Sequence, residues 1–177
     1  VNYGMKLNLH SYGETILPRW NGENTDRPLI IYSVGGIGDE IINVRFMKEL
    51  ERRNIDAYWS SNNNLESIFE RNGFKTIDKD NIDYSKRYLH CGAFHLSLLL
   101  GLNKEDLWKE NYLQPSIDYI NKWKNILPEK FLTIRMSGNT LYEYDLHRSI
   151  DFKLLYETIK DYNLPICLLY TSPSPRD

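Results

Sequence analysis

The chain has 177 residues, with 22 Lys and Arg against 24 Asp and Glu, a formal net charge of -2 and 41% apolar residues. The near balance of charge excludes the basic field by which proteins hold nucleic acid, and no apolar run is long enough to span a bilayer as a helix. An aromatic content of 13% argues for a packed core and against disorder.

Val1 to Arg27 is polar, rich in Gly and Asn, and contains LPRWNGE at Leu17 to Glu23. It reads as an extended lead-in, residues 1–27, with a turn at Asn21 and Gly22. Trp20 is expected to pack against the sheet edge.

Leu29 to Arg45, LIIYSVGGIGDEIINVR, is the stretch around which the rest of the chain is organised. Leu29 to Val34 has the unbroken apolarity of a strand covered on both faces, and Asp39 to Arg53 places Ile41, Ile42, Val44, Phe46, Met47 and Leu50 along a helix. This is the opening βα unit of a Rossmann-like, doubly wound α/β domain expected over residues 28–127. Gly35, Gly36 and Gly38 let the backbone turn sharply and come close to another molecule. Asp39 then falls where free N–H groups and the helix dipole stabilise a carboxylate, at the sheet edge where such folds bind ligands. A plain helix cap accounts for Asp39 equally well.

Further along, Asp56 to Ser60 is a strand, and Ser61 to Asn64 supplies capping residues for a helix through Asn72 that ends at Gly73. Phe74 to Ile77 is a strand, Asp78 to Ser85 a loop, and Arg87 to Cys91 a strand. Ala93 to Leu100 is an apolar helix, Asn103 to Tyr112 a short charged one, and Ser116 to Leu127 another. Such alternation implies a parallel sheet with helices on both faces. After Pro128, the strand Phe131 to Met136 runs into Ser137, Gly138 and Asn139, the grammar of the first unit again. A helix from about Asp151 to Tyr162 and a strand from Leu164 come next, so residues 128–166 read as the start of a second Rossmann-like domain.

The glycines resemble other phosphate-binding turns only in part. Gly36, Gly38 and Ile41 have dinucleotide-fingerprint spacing but lack its third glycine, and no acid follows Trp59, Ser60 and Ser61 to hold a ribose. No Lys with Ser or Thr follows the glycines either, which excludes a Walker loop. The remaining possibility is a glycine turn presenting Asp39 and Glu40. His90 and His95 flank the end of a strand without partner ligands at metal spacing, and read as packed residues, as does Cys91. Arg148 and Ser149 before a helix suit a phosphate, with Gly138 allowing the backbone to approach it. A surface Arg and a Ser cap fit that spacing as well.

Taken together, LPRWNGE, GGIGDEIINVRFMKEL at Gly35 to Leu50 and SGNTLYEYDLHRSIDFKLL at Ser137 to Leu155 resemble the glycosyltransferases related to lipopolysaccharide heptosyltransferases, especially the branch often fused to tetratricopeptide repeats. The resemblance implies a GT-B architecture, of which residues 28–127 are the acceptor-side half. It implies an inverting, metal-independent transfer without cofactor, from a nucleotide-diphosphate sugar to a glycan or lipid-linked saccharide. Asp39 matches the family's proposed general base. Gly35, Gly36 and Gly38 form the turn that carries it, and Gly138, Asn139, Arg148 and Ser149 match the donor-diphosphate region. Thr140 stands where the branch commonly has Pro, and Leu141 to Tyr144 look like an insert. The competing class is a non-catalytic Rossmann-like module that recognises a glycan or a protein.

Cys167 to Asp177, CLLYTSPSPRD, resembles the in-frame translation of a sequencing adapter. The native sequence is then expected to stop near Ile166, leaving a fragment that binds nucleotide-sugar weakly, transfers nothing, and exposes apolar faces such as those of Phe131 and Ile134. With Cys167 set aside, the sequence supports neither a disulfide framework nor a cysteine metal site. No signal peptide is expected, so the location is expected to be cytoplasmic, with room for peripheral membrane contact.

Overall fold

Leu29, Ile30, Ile31 and Tyr32 are all buried and form strand β1 (Leu29–Tyr32). A run apolar at every position suits a central strand. In this structure, a computed structural model that describes residues 17–106, 110–136, 143–144, 147 and 149–169, β1 is indeed central. It pairs in parallel with β2 (Ala57–Ser60) on one side and with β3 (Leu89–Gly92) on the other. The chain divides into two compact units, Val1–Gln114 and Pro115–Asp177.

In the first unit the expected strand Phe74 to Ile77 shrinks to one bridge, Trp59 to Thr76, on the outer edge of β2. Trp59 N–H donates to Lys75 O at 2.8 Å and Ile77 N–H to Trp59 O at 2.9 Å. The lead-in closes the opposite edge: Arg19 bridges His90, with His90 N–H bonded to Pro18 O at 3.0 Å and Trp20 N–H to His90 O at 2.9 Å. Trp20 is 1% exposed and its indole N–H donates to Glu23 O. Beyond it, Gly22 has φ +97°, and a Cβ there would lie 2.5 Å from Leu99 O. From β1 the chain goes out to β2 and Thr76, then crosses back to lay β3 on the far side of β1. The strand order therefore reverses beside β1, where open parallel sheets bind ligands outside their carboxyl ends.

The continuous helix expected over 39–53 is two helices, α1 (Ile37–Val44) and α2 (Met47–Arg52). At the joint Phe46, Lys48 and Glu49 N–H groups bond three residues back, to Asn43, Arg45 and Phe46. Upstream, the Asn43 side-chain amide donates to Asp39 O, a local side-chain bond of the kind that bends helices. The phase is set by Glu40, Val44, Met47 and Leu50, all buried, while Ile41 and Ile42 are exposed.

Helices α3 (Glu66–Arg71) and α4 (Leu96–Leu99) come after β2 and β3. A 3-10 turn, Ala93–His95, takes the first half of the expected helix before α4. Another 3-10 turn, Lys104–Asp106, stands within the segment 103–112 expected as helix, of which 107–109 lie outside the described residues.

Among the described residues of this unit the helices pack on one face of the sheet. Val44, Met47, Leu50, Phe69 and Leu96, from α1 to α4, pack in one cluster with Leu29, Ile31 and Trp59. Ile30 and Tyr32, on the other face, are covered by Leu17, Ile82 and Tyr88. The segment that supplies Ile82 and Tyr88 cannot extend a helix because its acids close short turns on themselves. Asp78 accepts from Asp80 N–H and Asp83 from Ser85 N–H, capping 3-10 turns Lys79–Asn81 and Tyr84–Lys86.

The second unit contains α5 (Ile117–Lys124), β4 (Leu132–Ile134), α6 (Phe152–Ile159) and β5 (Ile166–Leu168), with β4 and β5 parallel. The last strand starts two residues later than expected and includes Cys167 and Leu168. None of the unit's described residues is buried. Phe131 and Ile134 are half-buried, whereas Ile117, Trp123, Phe152, Leu154 and Tyr156 are exposed. No described helix of either unit is long and apolar enough to cross a membrane.

Candidate functional site

The glycine turn leaves the carboxyl end of β1 at the reversal of strand order. Gly35 has φ +88°, a backbone state costly for any side chain, and a Cβ there would lie 2.3 Å from Asp39 Oδ2. Asp39 Oδ2 fills that space because it reaches back to accept the Gly36 N–H at 2.8 Å, the acidic half of a capping box. Its Oδ1 takes no bond from the described residues, and the residue is half-buried. Gly36 and Gly38 are exposed; a Cβ on Gly36 would make ordinary contact at 3.9 Å, and one on Gly38 would meet nothing within 4 Å. Of the three glycines, only Gly35 is demanded by the fold itself.

Glu40 is not presented with Asp39, contrary to expectation. It is fully buried, and its carboxylate accepts from Trp59 Nε1 at 3.2 Å, from Asn62 N–H at 3.1 Å and from the Asn63 side-chain amide. A buried carboxylate survives only when hydrogen-bonded, and these donors supply that. Ser33, also fully buried, adds a second tie: its Oγ accepts from Asn62 N–H at 2.9 Å and its carbonyl from Asn62 Nδ2 at 3.0 Å. The Ser61 to Asn64 loop is thereby held against the glycine turn. Sequence reasoning reads these residues as caps; the overlooked signal is that Glu40 lies in phase with Val44 and Met47, so a carboxylate occupies a position on the core stripe.

On the other flank of β1, a Cβ on Gly92 would lie 3.1 Å from Tyr32 Oη and 3.2 Å from His95 Nδ1. His90 stacks on Tyr32 with ring centroids 5.8 Å apart. Burial, then the nearby Arg19 charge, holds the His90 imidazole below its usual range, so it is neutral near pH 7. Burial pushes the Cys91 thiol up to about 12 and raises Tyr32 as well, which makes Cys91 an inert core thiol.

The proposed donor residues fare differently. Gly138, Asn139 and Arg148 lie outside the described residues. Ser149 is half-buried and, contrary to the capping alternative, does not cap the helix after it: Asp151 does, accepting Leu154 N–H at 3.1 Å, and α6 begins at Phe152. Asp151 outcompetes Ser149 because it sits immediately before the apolar helical stripe.

A cavity of about 440 Å³ opens at the amino end of β2, away from the glycine turn, lined by Met47, Glu51, Asp56, Phe74 and Lys75 among others. Its charges are already paired, Lys75 with Asp56 at 2.6 Å within the lining and Glu51 with Lys48 outside it at 3.3 Å, so it offers no unmatched charge to a ligand. Searches of protein-family models, curated proteins and solved structures return no match to this chain.

Proposed function

We propose that the protein is a glycosyltransferase or a piece of one, inverting and metal-independent, which moves a sugar from a nucleotide-diphosphate donor to a hydroxyl of a glycan or lipid-linked acceptor. The observation that carries this reading is the state of Asp39. One carboxylate oxygen is pinned by Gly36 N–H, the other takes no bond from the described residues, and the group stands at the carboxyl edge of a parallel sheet beside the strand-order reversal. This geometry supports reading Asp39 as the base of the reaction. In the proposed reaction the acceptor oxygen attacks the anomeric carbon and its proton passes to Asp39. The bond from that carbon to the diphosphate breaks, and its electron pair leaves with the diphosphate on the opposite face. By the sequence resemblance, Gly138, Asn139, Arg148 and Ser149 would stabilise that departing charge.

The test is transfer by the protein expressed from its complete reading frame, against a panel of nucleotide-sugars. Asp39→Asn keeps an oxygen for Gly36 N–H but cannot take a proton, so transfer should fall by about a hundredfold or more with folding intact. Unchanged transfer removes the role assigned to Asp39.

A second reading, a non-catalytic Rossmann-like module for a glycan or a protein, is favoured by the same Gly36 contact taken as a helix cap alone. It predicts no transfer from any donor, and a loss of stability alone when Asp39 is replaced.

A further inference from the structure

We propose that the Ser61 to Asn64 loop, clamped by Glu40, is the wall that selects the acceptor by its hydroxyl groups, with Asn62 and Asn63 as specificity-determining residues and Glu40 as a positioning residue. This rests on the proposed role of Asp39 as base, because it names the partner of the same site.

The hydrogen-bonding groups that remain unspent decide which ligand the wall suits. Asn62 Nδ2 bonds Ser33 O, and Asn63 Nδ2 bonds the Glu40 carboxylate. Ser33 O can only accept, and the Glu40 oxygen that Asn63 meets already accepts from Asn62 N–H, so the amide nitrogens face them. Each amide carbonyl oxygen therefore lies on the side away from that bond, and neither accepts a hydrogen bond from the described residues. Asp39 Oδ1 is in the same state on the adjoining turn. The oxygens left over are acceptors, and they call for a ligand that donates.

The loop also has little freedom to rearrange. Ser61 is buried and its Oγ accepts from Asn63 N–H at 3.1 Å and Leu65 N–H at 3.3 Å, while Asn64 takes φ +55°. Glu40 and Ser33 fix Asn62 N–H from two sides. A wall set in place beforehand costs a ligand less ordering. Among the described residues no Lys or Arg bonds to Ser33, Asp39, Glu40 or the loop, and two carboxylates stand in or beside the network, which disfavours an anion here. A neutral, hydroxyl-rich moiety fits; a phosphate does not.

The test uses the whole chain and needs no sugar donor. Nitrogen-15 NMR spectra are recorded while methyl hexopyranosides, inorganic phosphate and pyrophosphate are added in separate titrations. The proposal expects the glycosides to shift the side-chain amides of Asn62 and Asn63 and the backbone of Asp39, with phosphate and pyrophosphate leaving them unmoved. Asn63→Ala should weaken glycoside binding about tenfold, as the loss of a ligand hydrogen bond implies. Glu40→Gln should weaken it likewise and speed hydrogen exchange at Asn62 N–H. Phosphate or pyrophosphate moving these amides, glycosides leaving them still, or full-strength binding by Asn63→Ala would each overturn the proposal. The wild-type titration decides the matter even if a variant fails to fold. Amide shifts without transfer would sink the role of Asp39 and spare the loop; transfer without amide shifts would do the reverse.

Discussion

The carboxylate of Asp39 occupies the space that a side chain on Gly35 would need: a Cβ at Gly35 would sit 2.3 Å from Asp39 Oδ2. The two residues are therefore one device, a left-handed glycine that makes room for the acid which caps the helix behind it. Gly35→Ala must leave φ +88° or displace Asp39, at a cost of about 1–3 kcal/mol. Urea unfolding followed by circular dichroism measures this, and a variant as stable as the parent would show that the carboxylate moves aside freely.

Gly38 gives the contrasting case. Its φ lies outside the left-handed range and a Cβ would meet nothing, so Gly38→Ala should stabilise the protein by about 0.5–1 kcal/mol. If Gly38 is there for close approach of a ligand, the same variant should bind or transfer less well while melting higher. Equal or better activity would mean that the position answers to the backbone alone.

Removing the Glu40 carboxylate leaves Trp59 Nε1 and Asn62 N–H with one partner fewer each inside the unit. Asn62 N–H keeps Ser33 Oγ, so the cost falls on the buried Trp59 indole N–H, and Glu40→Ala should destabilise by about 1–3 kcal/mol. Because the indole of Trp59 reports directly on the site, its fluorescence should shift in the folded variant. A loss below about 1 kcal/mol would mean that water takes over the clamp at little cost.

Alkaline pH should unfold this protein early. With the Cys91 thiol held at about 12 in the folded state against an ordinary value of 9.0, the unfolded chain gives up that proton first. Stability is therefore intact below about pH 9 and declines from there towards pH 12, by up to about 1.4 kcal/mol per pH unit. The raised Tyr32 adds to the decline above its ordinary 10.0. Cys91→Ala should flatten the profile, and in the native parent Cys91 should resist alkylation at pH 8. Rapid labelling of Cys91 without unfolding would contradict both.

On the acid side the relevant group is His90, whose imidazole is held below 6.5 by burial and by Arg19. The unfolded chain takes up a proton first as pH drops, so this contribution to stability is present above pH 6.5 and lost below it. Denaturant midpoints between pH 7 and 5 should fall less steeply in His90→Phe than in the parent. Parallel profiles would place the acid sensitivity elsewhere.

The sequence makes β1, the glycine turn and the parallel βαβ pattern legible, because an all-apolar run that ends in glycines has few other uses. It does not make the phase of α1 legible. Four apolar residues in Ile37, Ile41, Ile42 and Val44 offer several stripes, and the one that wins puts Glu40 inside and leaves Ile41 and Ile42 exposed. The reason is tertiary: Trp59, Asn62 and Asn63 come from a different part of the chain, and only with them in place is a buried carboxylate tolerable. Phe74 to Ile77 falls short of a full strand for a related reason. Its β propensity is genuine, but its backbone meets β2 only around Thr76. The start of α6 is hard to place from sequence because Ser149 and Asp151 are both good caps, and spacing alone does not choose between them.

The central strand has apolar residues on both faces, Leu29 and Ile31 on one and Ile30 and Tyr32 on the other. A slip of one residue in its pairing would exchange those faces without exposing a polar group, so hydrophobicity alone hardly distinguishes the right alignment from the wrong one. The distinction comes from the set of polar ties at the strand's end, Ser33 to Asn62 and Glu40 to Trp59, which a slipped chain cannot make. The residues that shape the candidate site are thus also the sheet's reference mark.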